Sequence, residues 1–312
     1  MSHHTSSDTA KKILLNAFDM NCVGHINHGL WTHPNDQSHR FDELSYWTDL
    51  AKTLEKGLFD GLFIADITGS YDVYQNGLDL TLRESIQLPS HDPTTLVSAM
   101  AAVTQHLGFG VTVNLSYENP YQFARRFASL DHLTRGRIGW NIVTGYLDSA
   151  ARLVGQAGLA DHDLRYAQAE EFLQLCYKFW EGSWQDDAIQ KDKVKRIFTD
   201  PSKVHVVNHH GQFYQSQGVF QVAPSIQRTP MLFQAGASPK GLDFATQHAE
   251  AMFIGGESIE KARQQVKKIR QLALEQGRHA EDIKIFVGIT VVTAETDALA
   301  EQKFAEYQCY AN

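Results

Sequence analysis

The feature that most constrains the fold is a repeated alternation of short apolar segments with longer stretches of helical spacing. Seven apolar segments of strand character lie at 13–18, 61–65, 108–114, 137–143, 230–235, 251–254 and 283–293. Helical spacing occupies 41–56, 94–105, 120–133, 167–180, 258–276 and 297–310. Alternating strands and helices predict a parallel sheet, and strands that are apolar on both faces indicate that helices cover the outside.

Two α/β architectures fit this order. A dinucleotide-binding sheet would carry a GxGxxG loop after its first strand, whereas this chain has Asp19, Met20 and Asn21 there. Seven units in series instead predict a (β/α)8 TIM barrel, which closes only with an eighth strand. We find no eighth strand, so we expect a single barrel domain over 1–312 that lacks its last βα unit. The segment at about 181–228, with its hairpin-like HVVNHHGQFYQSQGVFQV, is expected to be an insertion.

Composition narrows the cellular setting and the partners. The net charge of -8 and the absence of a basic stripe argue against nucleic acid as a partner. Cys22, Cys176 and Cys309 lie far apart without a CxxC pair, which favours a reducing cytoplasm. No apolar run approaches the roughly 20 residues that cross a bilayer, and the polar N-terminus lacks the core of a signal peptide. We therefore expect a cytoplasmic protein without a membrane partner.

The segment QAGASPKG is the sharpest local feature. Ser238 is placed to cap a helix, and Pro239 suits the first helical position. The free amides of such a helix start suit a phosphate, to which Lys240 would add charge. An ordinary strand-to-helix turn with a serine cap explains the same residues.

Polar residues at the ends of the predicted strands are the other candidates, because barrel active sites lie at the carboxyl ends of the strands. Asp66 follows the second strand and is either a ligand contact or a helix cap, and Thr112 in GVTVN is either a ligand contact or an ordinary strand residue. The further candidates are Asn114, Asn141, Thr144 and Gly236.

Two aromatic clusters lie near helix and strand ends. His162 and Tyr166 are four residues apart, so they share one helix face and either hold a phosphate or ribityl chain or have a structural role. His25, His28 and His33 crowd around Trp31 after the first strand. No HExxH or Cys/His pattern supports a metal site there, so we predict no metal and interpret the loop as the roof of a pocket.

Several segments together resemble one family: WTHP, GLFDGLFIAD, NPYQFARRFASLDHLTRGRIGWNIVTG, HDLRYAQAEEF, NHHGQFY and QAGASPKG. They are similar to the nitrilotriacetate/dibenzothiophene-sulfone monooxygenase branch of the bacterial-luciferase-like flavin monooxygenases. The resemblance runs from about Ile13 to Asn312, and SLDHLTRGRIGWNIVTG is its most specific part.

This resemblance implies a luciferase-like barrel and a two-component, FMNH2-dependent monooxygenase. Such an enzyme uses O2 to oxygenate an aminocarboxylate, sulfone, sulfonate or alkane, with reduced FMN supplied by a separate NAD(P)H:flavin reductase. It also implies a homo-oligomer. Alternatives are an F420-dependent oxidoreductase of the same superfamily and a flavin-binding protein without turnover. An unrelated phosphate-binding barrel would need a barrel-end lysine or paired carboxylates, which we do not find.

The resemblance also implies roles for particular residues. Asp66 would contact the flavin ring system, and Thr112 would lie near the ring. His162 and Tyr166 would hold the ribityl phosphate end, and Ser238 would bind the phosphate. No catalytic residue is assigned, and His25 and His28 are the first that we would test. The loop around Trp31 and the segment 68–93 are expected to form a lid.

Overall fold

The computed structural model describes residues 12–236 and 238–311. The strands are β1 Asn16–Met20, β2 Gly61–Ala65, β3 Gly108–Asn114, β4 Ile138–Val143, β5 Ile189–Asp192, β6 Ile197–Thr199, β7 Val206–His210, β8 Gln215–Val219, β9 Met231–Gln234, β10 Ala251–Ile254 and β11 Lys284–Val287. The helices are α1 Leu44–Lys56, α2 Asp79–Arg83, α3 Thr94–Ala102, α4 Pro120–Thr134, α5 Asp148–Leu153, α6 His162–Trp180, α7 Pro239–His248, α8 Ile259–Glu275 and α9 Asp297–Gln308.

Seven strands form one sheet in the order β1-β2-β3-β4-β9-β10-β11, and every neighbouring pair is parallel. The predicted parallel α/β sheet is therefore confirmed. Two strand predictions needed correction. β1 begins at Asn16, where pairing with Gly61 of β2 starts, and β11 ends at Val287, where pairing with Ile254 of β10 ends. Apolar residues beyond these points have no neighbouring strand to extend the ladder, so composition alone overestimated both strands.

The sheet is curled. The rings of Phe63 on β2 and Phe253 on β10 have centroids 4.5 Å apart, although these strands are separated by four strand-to-strand steps in the sheet. A flat sheet would place them about 19 Å apart, at roughly 4.8 Å per step. The strands therefore wrap around an inner lumen, which is the coarse geometry of a β/α barrel.

Phenylalanine rings fill the amino-terminal part of this lumen because two glycines make room for them. A Cβ on Gly139 would lie 2.6 Å from Cε2 of Phe233, and a Cβ on Gly110 would lie 3.0 Å from Cδ2 of Phe63. Both glycines therefore admit a ring where another residue would clash. Phe253 packs against both rings, so this part of the barrel is a solid aromatic plug.

The main core lies between the outer face of the sheet and the helices. Trp140 of β4 is completely buried and donates its indole N–H to the carbonyl of Val113, at 3.0 Å. Phe123 of α4 and Phe172 of α6 pack on the Trp140 ring with centroid distances of 4.3 and 5.9 Å. This packing fixes α4 and α6 against β3 and β4, the strands that carry part of the site below.

Residues 181–228 contain the two antiparallel hairpins, β5–β6 and β7–β8. Glu171 of α6 holds the second hairpin, because its carboxylate accepts hydrogen bonds from the backbone amides of Gln212, Phe213 and Tyr214. His209 is buried and lies 3.0 Å from the same carboxylate. His209 thus helps to hold this hairpin against α6.

Among the described residues, no helix combines the length and the apolar character needed to cross a bilayer.

Candidate functional site

Two polar side chains meet inside the barrel near the carboxyl ends of β3 and β4. Thr112 pairs with Asn141 in the sheet register, and both side chains are almost fully buried. The Asn141 Nδ2 donates a hydrogen bond to Thr112 Oγ1 at 2.9 Å. Parallel strands in register bring these side chains to the same side of the sheet. The sequence-predicted residue Thr112 thus has a polar partner in the lumen.

Asn141 has an unused hydrogen-bonding atom. Its Oδ1 is buried and has no hydrogen-bond partner among the described residues. A buried carbonyl oxygen without a partner costs free energy, so such an atom commonly accepts a hydrogen bond from a ligand or an ordered water. The pair Thr112–Asn141 therefore fits a planar ligand with an N–H group at its edge.

A second polar cluster lies at the turn between β9 and α7. Ser238 caps α7, with its Oγ accepting a hydrogen bond from the amide of Gly241 at 3.0 Å. Gly236 lies so close to this turn that a Cβ on it would be 2.9 Å from the Cα of Gly241. The next residue, Ala237, lies outside the described residues. Pro239 has no N–H group and the Gly241 amide bonds to Ser238 Oγ, so the Lys240 amide is the first helix amide that could face an anion at this turn.

The structure brings His162 and Tyr166 of α6 to the same turn. His162 Nε2 lies 3.2 Å from Ser238 Oγ, and the two aromatic side chains have ring centroids 5.0 Å apart. The Tyr166 hydroxyl lies where a Cβ on Gly241 would be 2.7 Å away, and it accepts a hydrogen bond from Gln234 Nε2 at 3.5 Å. Imidazole, phenol, serine hydroxyl and helix amides together form a donor set for a phosphate.

Lys240, which was expected to add charge to the phosphate site, is exposed. It lines a surface groove of about 370 Å³ between α7 and α8, together with Lys268.

Asp66 follows β2 and is half-buried. Burial raises the pKa of its carboxyl to about 6, and the charge of Asp92 adds to this, while a hydrogen bond from the amide of Ile67 opposes it. Asp19 on β1 behaves alike, with burial raising its pKa to about 6. Both carboxyls contribute to the electrostatics around Cys22, whose pKa burial raises to about 11. Two weakened acids therefore lie near the carboxyl ends of β1 and β2.

The histidine-rich loop after β1 divides into two parts. His25 packs on the ring of Phe18, with centroids 5.3 Å apart, and its Nδ1 contacts Nε2 of Gln87. Burial and the neighbouring His28 lower the pKa of His25. Gln87 Oε1 and His28 Nδ1 are buried without hydrogen-bond partners among the described residues, as is Asn21 Oδ1. Buried polar atoms without partners thus gather beside β1.

His33 points elsewhere. Its Nε2 lies 3.2 Å from Glu306, and its ring contacts Tyr307 and Tyr310 at the end of the described chain. His33 therefore anchors the loop to α9 and does not join His25 and His28. In the described parts of the chain, no group of three or more His, Cys, Asp or Glu residues could hold a metal ion.

Sequence reasoning did not single out Gln87, Asn21, Tyr71 or Tyr146. The Tyr71 and Tyr146 hydroxyls, from the loops after β2 and β4, hydrogen-bond to each other. All four residues lie in irregular segments, where neither apolar spacing nor a motif marks a polar side chain. The only sequence signal was the prediction that 68–93 forms a lid.

The carboxyl end of this curled parallel sheet has a polar lumen and, beside it, a helix start suited to a phosphate. This is the class of barrel protein whose site suits a phosphorylated ring compound. The chain belongs to the luciferase-like monooxygenase family, whose model matches residues 22–311. The predicted resemblance is confirmed.

Two relatives and one solved structure illustrate the similarity. The chain is 51% identical over 300 residues to a long-chain alkane monooxygenase of Geobacillus thermodenitrificans (strain NG80-2), covering 96% of this chain and 68% of that protein. It is 51% identical over 302 residues to a dimethyl-sulfide monooxygenase of Hyphomicrobium sulfonivorans, covering 97% of this chain and 63% of that protein. A crystal structure of riboflavin lyase with modified FMN and the substrate riboflavin superposes with a TM-score of 0.93 at 39% identity, covering 97% of this chain and 67% of that one.

The chain therefore spans about two thirds of the length of these proteins. The names of the two relatives agree with the predicted enzyme class, a monooxygenase, and the FMN of the riboflavin lyase agrees with the predicted cofactor. The residues at this end of the barrel fit FMN, since a buried amide oxygen without a partner lies in the lumen and a phosphate donor set lies at the start of α7.

Proposed function

We propose that this protein is an FMNH2-dependent monooxygenase that oxygenates a small neutral organic substrate. The observation that carries the proposal is that the same end of the barrel holds both the Asn141 amide oxygen without a partner and the Ser238–His162–Tyr166 cluster. When bound, reduced FMN would supply the electrons that split O2, with one oxygen atom going to the substrate and the other leaving as water.

The protein's own residues would bind and orient the flavin. Ser238, the amides of α7, His162 and Tyr166 would hold the phosphate, because all of them offer hydrogen-bond donors at one point. Asn141 and Thr112 would hold one edge of the ring, and Asp66 would accept a hydrogen bond from it. The phenylalanine plug beneath the ring would exclude water from that side.

The surroundings of the ring subsite favour a neutral substrate over an aminocarboxylate or a sulfonate. Asp66 remains mostly ionised at neutral pH with a pKa of about 6, so it would repel an anion. The cluster of Asn21, His25 and Gln87 is neutral or weakly basic, and the Phe18 ring is half exposed beside it. An alkane, thioether or sulfone matches these surfaces, in line with the names of the two relatives at 51% identity.

The seven-stranded sheet would be part of a luciferase-like (β/α)8 barrel domain in which 181–228 is an insertion, and an eighth strand would lie between β11 and β1. Reduced FMN would come from a separate NAD(P)H:flavin reductase, because no GxGxxG loop for binding a nicotinamide dinucleotide follows β1. The protein would act as a cytoplasmic homo-oligomer.

The test is FMN binding by the purified chain, followed by fluorescence quenching, with Ser238→Ala and Tyr166→Phe beside it. We expect micromolar binding that either substitution weakens. Turnover is then measured with a flavin reductase on a matched pair of substrates, an alkane or thioether and an aminocarboxylate. A folded chain that binds neither oxidised nor reduced FMN would overturn the proposal, and preference for the anionic substrate would overturn the substrate class.

A further inference from the structure

The loop after β2 is fastened across the mouth of the barrel. We name residues 67–77 of this loop the strap. The amide of Ser70 in the strap donates a hydrogen bond to Ser149 Oγ at 2.9 Å, and the Ser149 hydroxyl donates to the Ser70 carbonyl at 2.8 Å. Ser149 lies in α5, after β4, and only 6% of its surface is exposed. One buried hydroxyl therefore satisfies both backbone groups of a strap residue.

Close packing at Gly69 supports this attachment. Gly69 has a positive φ of 99°, and a Cβ there would lie 2.7 Å from Ser149 Oγ and 2.8 Å from the amide of Ala150. Only glycine combines this backbone conformation with such an approach. The strap thus touches the backbone of α5 directly.

Further contacts fix the strap along its length. The Tyr71 carbonyl accepts a hydrogen bond from the buried hydroxyl of Thr81, at 2.6 Å. The Tyr71 hydroxyl bonds to that of Tyr146, and Asp72 forms an ion pair with Arg152 of α5. Three consecutive strap residues, from Ser70 to Asp72, are therefore anchored.

The strand order shows what the strap covers. β3 lies between β2 and β4 in the sheet, so a contact between the segments that follow β2 and β4 must pass over the carboxyl end of β3. Thr112 and Asn114 lie at that end. The segment after β4 is itself held there, because Ser116 Oγ donates to the Thr144 carbonyl at 3.0 Å. The strap therefore lies above the proposed ring subsite.

We propose that the strap is a fixed roof over the flavin ring, with Ser149 and Gly69 as the positioning residues that hold it. This inference rests on the proposed function. The roof keeps bulk water from the ring, and ligands enter and leave around it. The lid predicted over 68–93 is then fastened at its start.

Hydrogen exchange of the ligand-free chain tests the attachment without any flavin. Ser149→Ala leaves the Ser70 amide and carbonyl without partners, so we expect exchange in peptides covering 67–77 to accelerate by about tenfold or more. Ser129→Ala is the matched control, because its hydroxyl bonds only to the Arg125 carbonyl of its own helix. Unchanged exchange in Ser149→Ala would overturn the inference whatever the chain binds.

Iodide quenching of bound FMN fluorescence tests the roof itself. We expect bound FMN to be quenched more strongly in Ser149→Ala than in the unaltered chain or in Ser129→Ala. The three proteins are compared at a temperature at which all of them are folded. Loosened exchange without increased quenching would show that the strap does not cover the ring. Absence of FMN binding by the unaltered chain would instead be a failure of the proposed function.

The ion pair supplies a second variant that does not touch the buried serine. Arg152→Asp should accelerate exchange in the strap, and the double substitution Asp72→Arg with Arg152→Asp should restore it, because the exposed pair is rebuilt with reversed charges. If the double variant exchanges as fast as the single one, Asp72–Arg152 does not hold the strap.

Discussion

At the scale of single residues, burial decides what the polar groups of the barrel end can do. Asn141 has an amide oxygen without a partner in the lumen, and Asp19 and Asp66 have carboxyl groups whose pKa burial raises. Each of these groups costs stability in the ligand-free protein. Such costs are typical of binding sites, where the missing partner belongs to the ligand.

Asn141→Leu separates the effect of Asn141 on the stability of the ligand-free chain from its effect on FMN binding. The substitution removes the orphaned oxygen together with one hydrogen bond to Thr112. We expect the free energy of unfolding of the ligand-free chain to change by no more than about 1 kcal/mol, while FMN affinity falls by about tenfold. Thermal unfolding and FMN titration measure the two quantities. Parallel losses in both would show that Asn141 has a structural role only.

Asp19 should make stability depend on pH. Its pKa is about 6 in the folded chain against about 3.9 when unfolded, so the folded state binds more protons between these values. The free energy of unfolding therefore falls as the pH rises from about 4 to about 6. Asp19→Asn keeps the Oδ1 that accepts the Met20 amide. We expect it to be about 3 kcal/mol more stable than the unaltered chain at pH 8, from a shift of about two pKa units at about 1.4 kcal/mol each.

Urea unfolding at pH 8 and at pH 3.5 checks this expectation, because the difference should vanish at the lower pH. A constant difference at both values would indicate a change in packing and not in ionisation.

At the scale of helices and strands, capping at α7 differs from capping elsewhere because two aromatic residues of α6 face it. Ser258 provides a matched comparison, since it caps α8 through a hydrogen bond from the amide of Lys261 at 3.2 Å. Ser238→Ala and Ser258→Ala should each lower stability by about 1 kcal/mol.

Only Ser238→Ala should weaken FMN binding, and it should leave riboflavin binding almost unchanged, because riboflavin lacks the phosphate. Fluorescence titrations of both flavins on both variants make the comparison. Equal weakening of FMN and riboflavin would place the phosphate elsewhere.

The elements also show how far sequence reasoning reaches. The apolar spacing of 41–56 and 120–133 predicted α1 and α4 to within three residues, because long amphipathic helices repeat their pattern over several turns. The short helices α2 and α5 were missed, since five or six residues hold too little pattern.

The candidate site divided in the same way. Ser238, His162 and Tyr166 were candidates because of helix capping and helix spacing, and the structure brings them together, while their role in binding stays a prediction. Gln87 and Tyr71 were not found, because their partners are distant in sequence and only the fold brings them into contact.

At the scale of the whole molecule, the curled sheet has two outer strands. Within the described residues, β1 and β11 each pair with one neighbour only. The segment after β11 exposes Ile289 and Val291, at 76% and 68%. An unpaired edge beside exposed apolar residues is a template for association between chains.

We therefore expect sedimentation velocity to show larger species as the concentration of this chain rises. The double substitution Ile289→Lys with Val291→Lys should reduce them, because charge beside a sheet edge opposes pairing. Val194→Lys is the control, since Val194 is even more exposed, at 93%, but lies in the turn between β5 and β6. A single species at every concentration, or an equal effect of the control, would contradict this expectation.

The aromatic plug built on Gly110 and Gly139 has a kinetic consequence. Phe63 and Phe233 occupy the space that these glycines leave, so the plug closes one end of the lumen and ligands enter from the carboxyl end. Two ligands that enter the lumen from this end must bind one after the other. The ligand that binds deeper binds first and dissociates last, and the outer ligand blocks the deeper position if it binds first. Steady-state rates should then follow a compulsory order of addition, with inhibition by excess of the outer ligand.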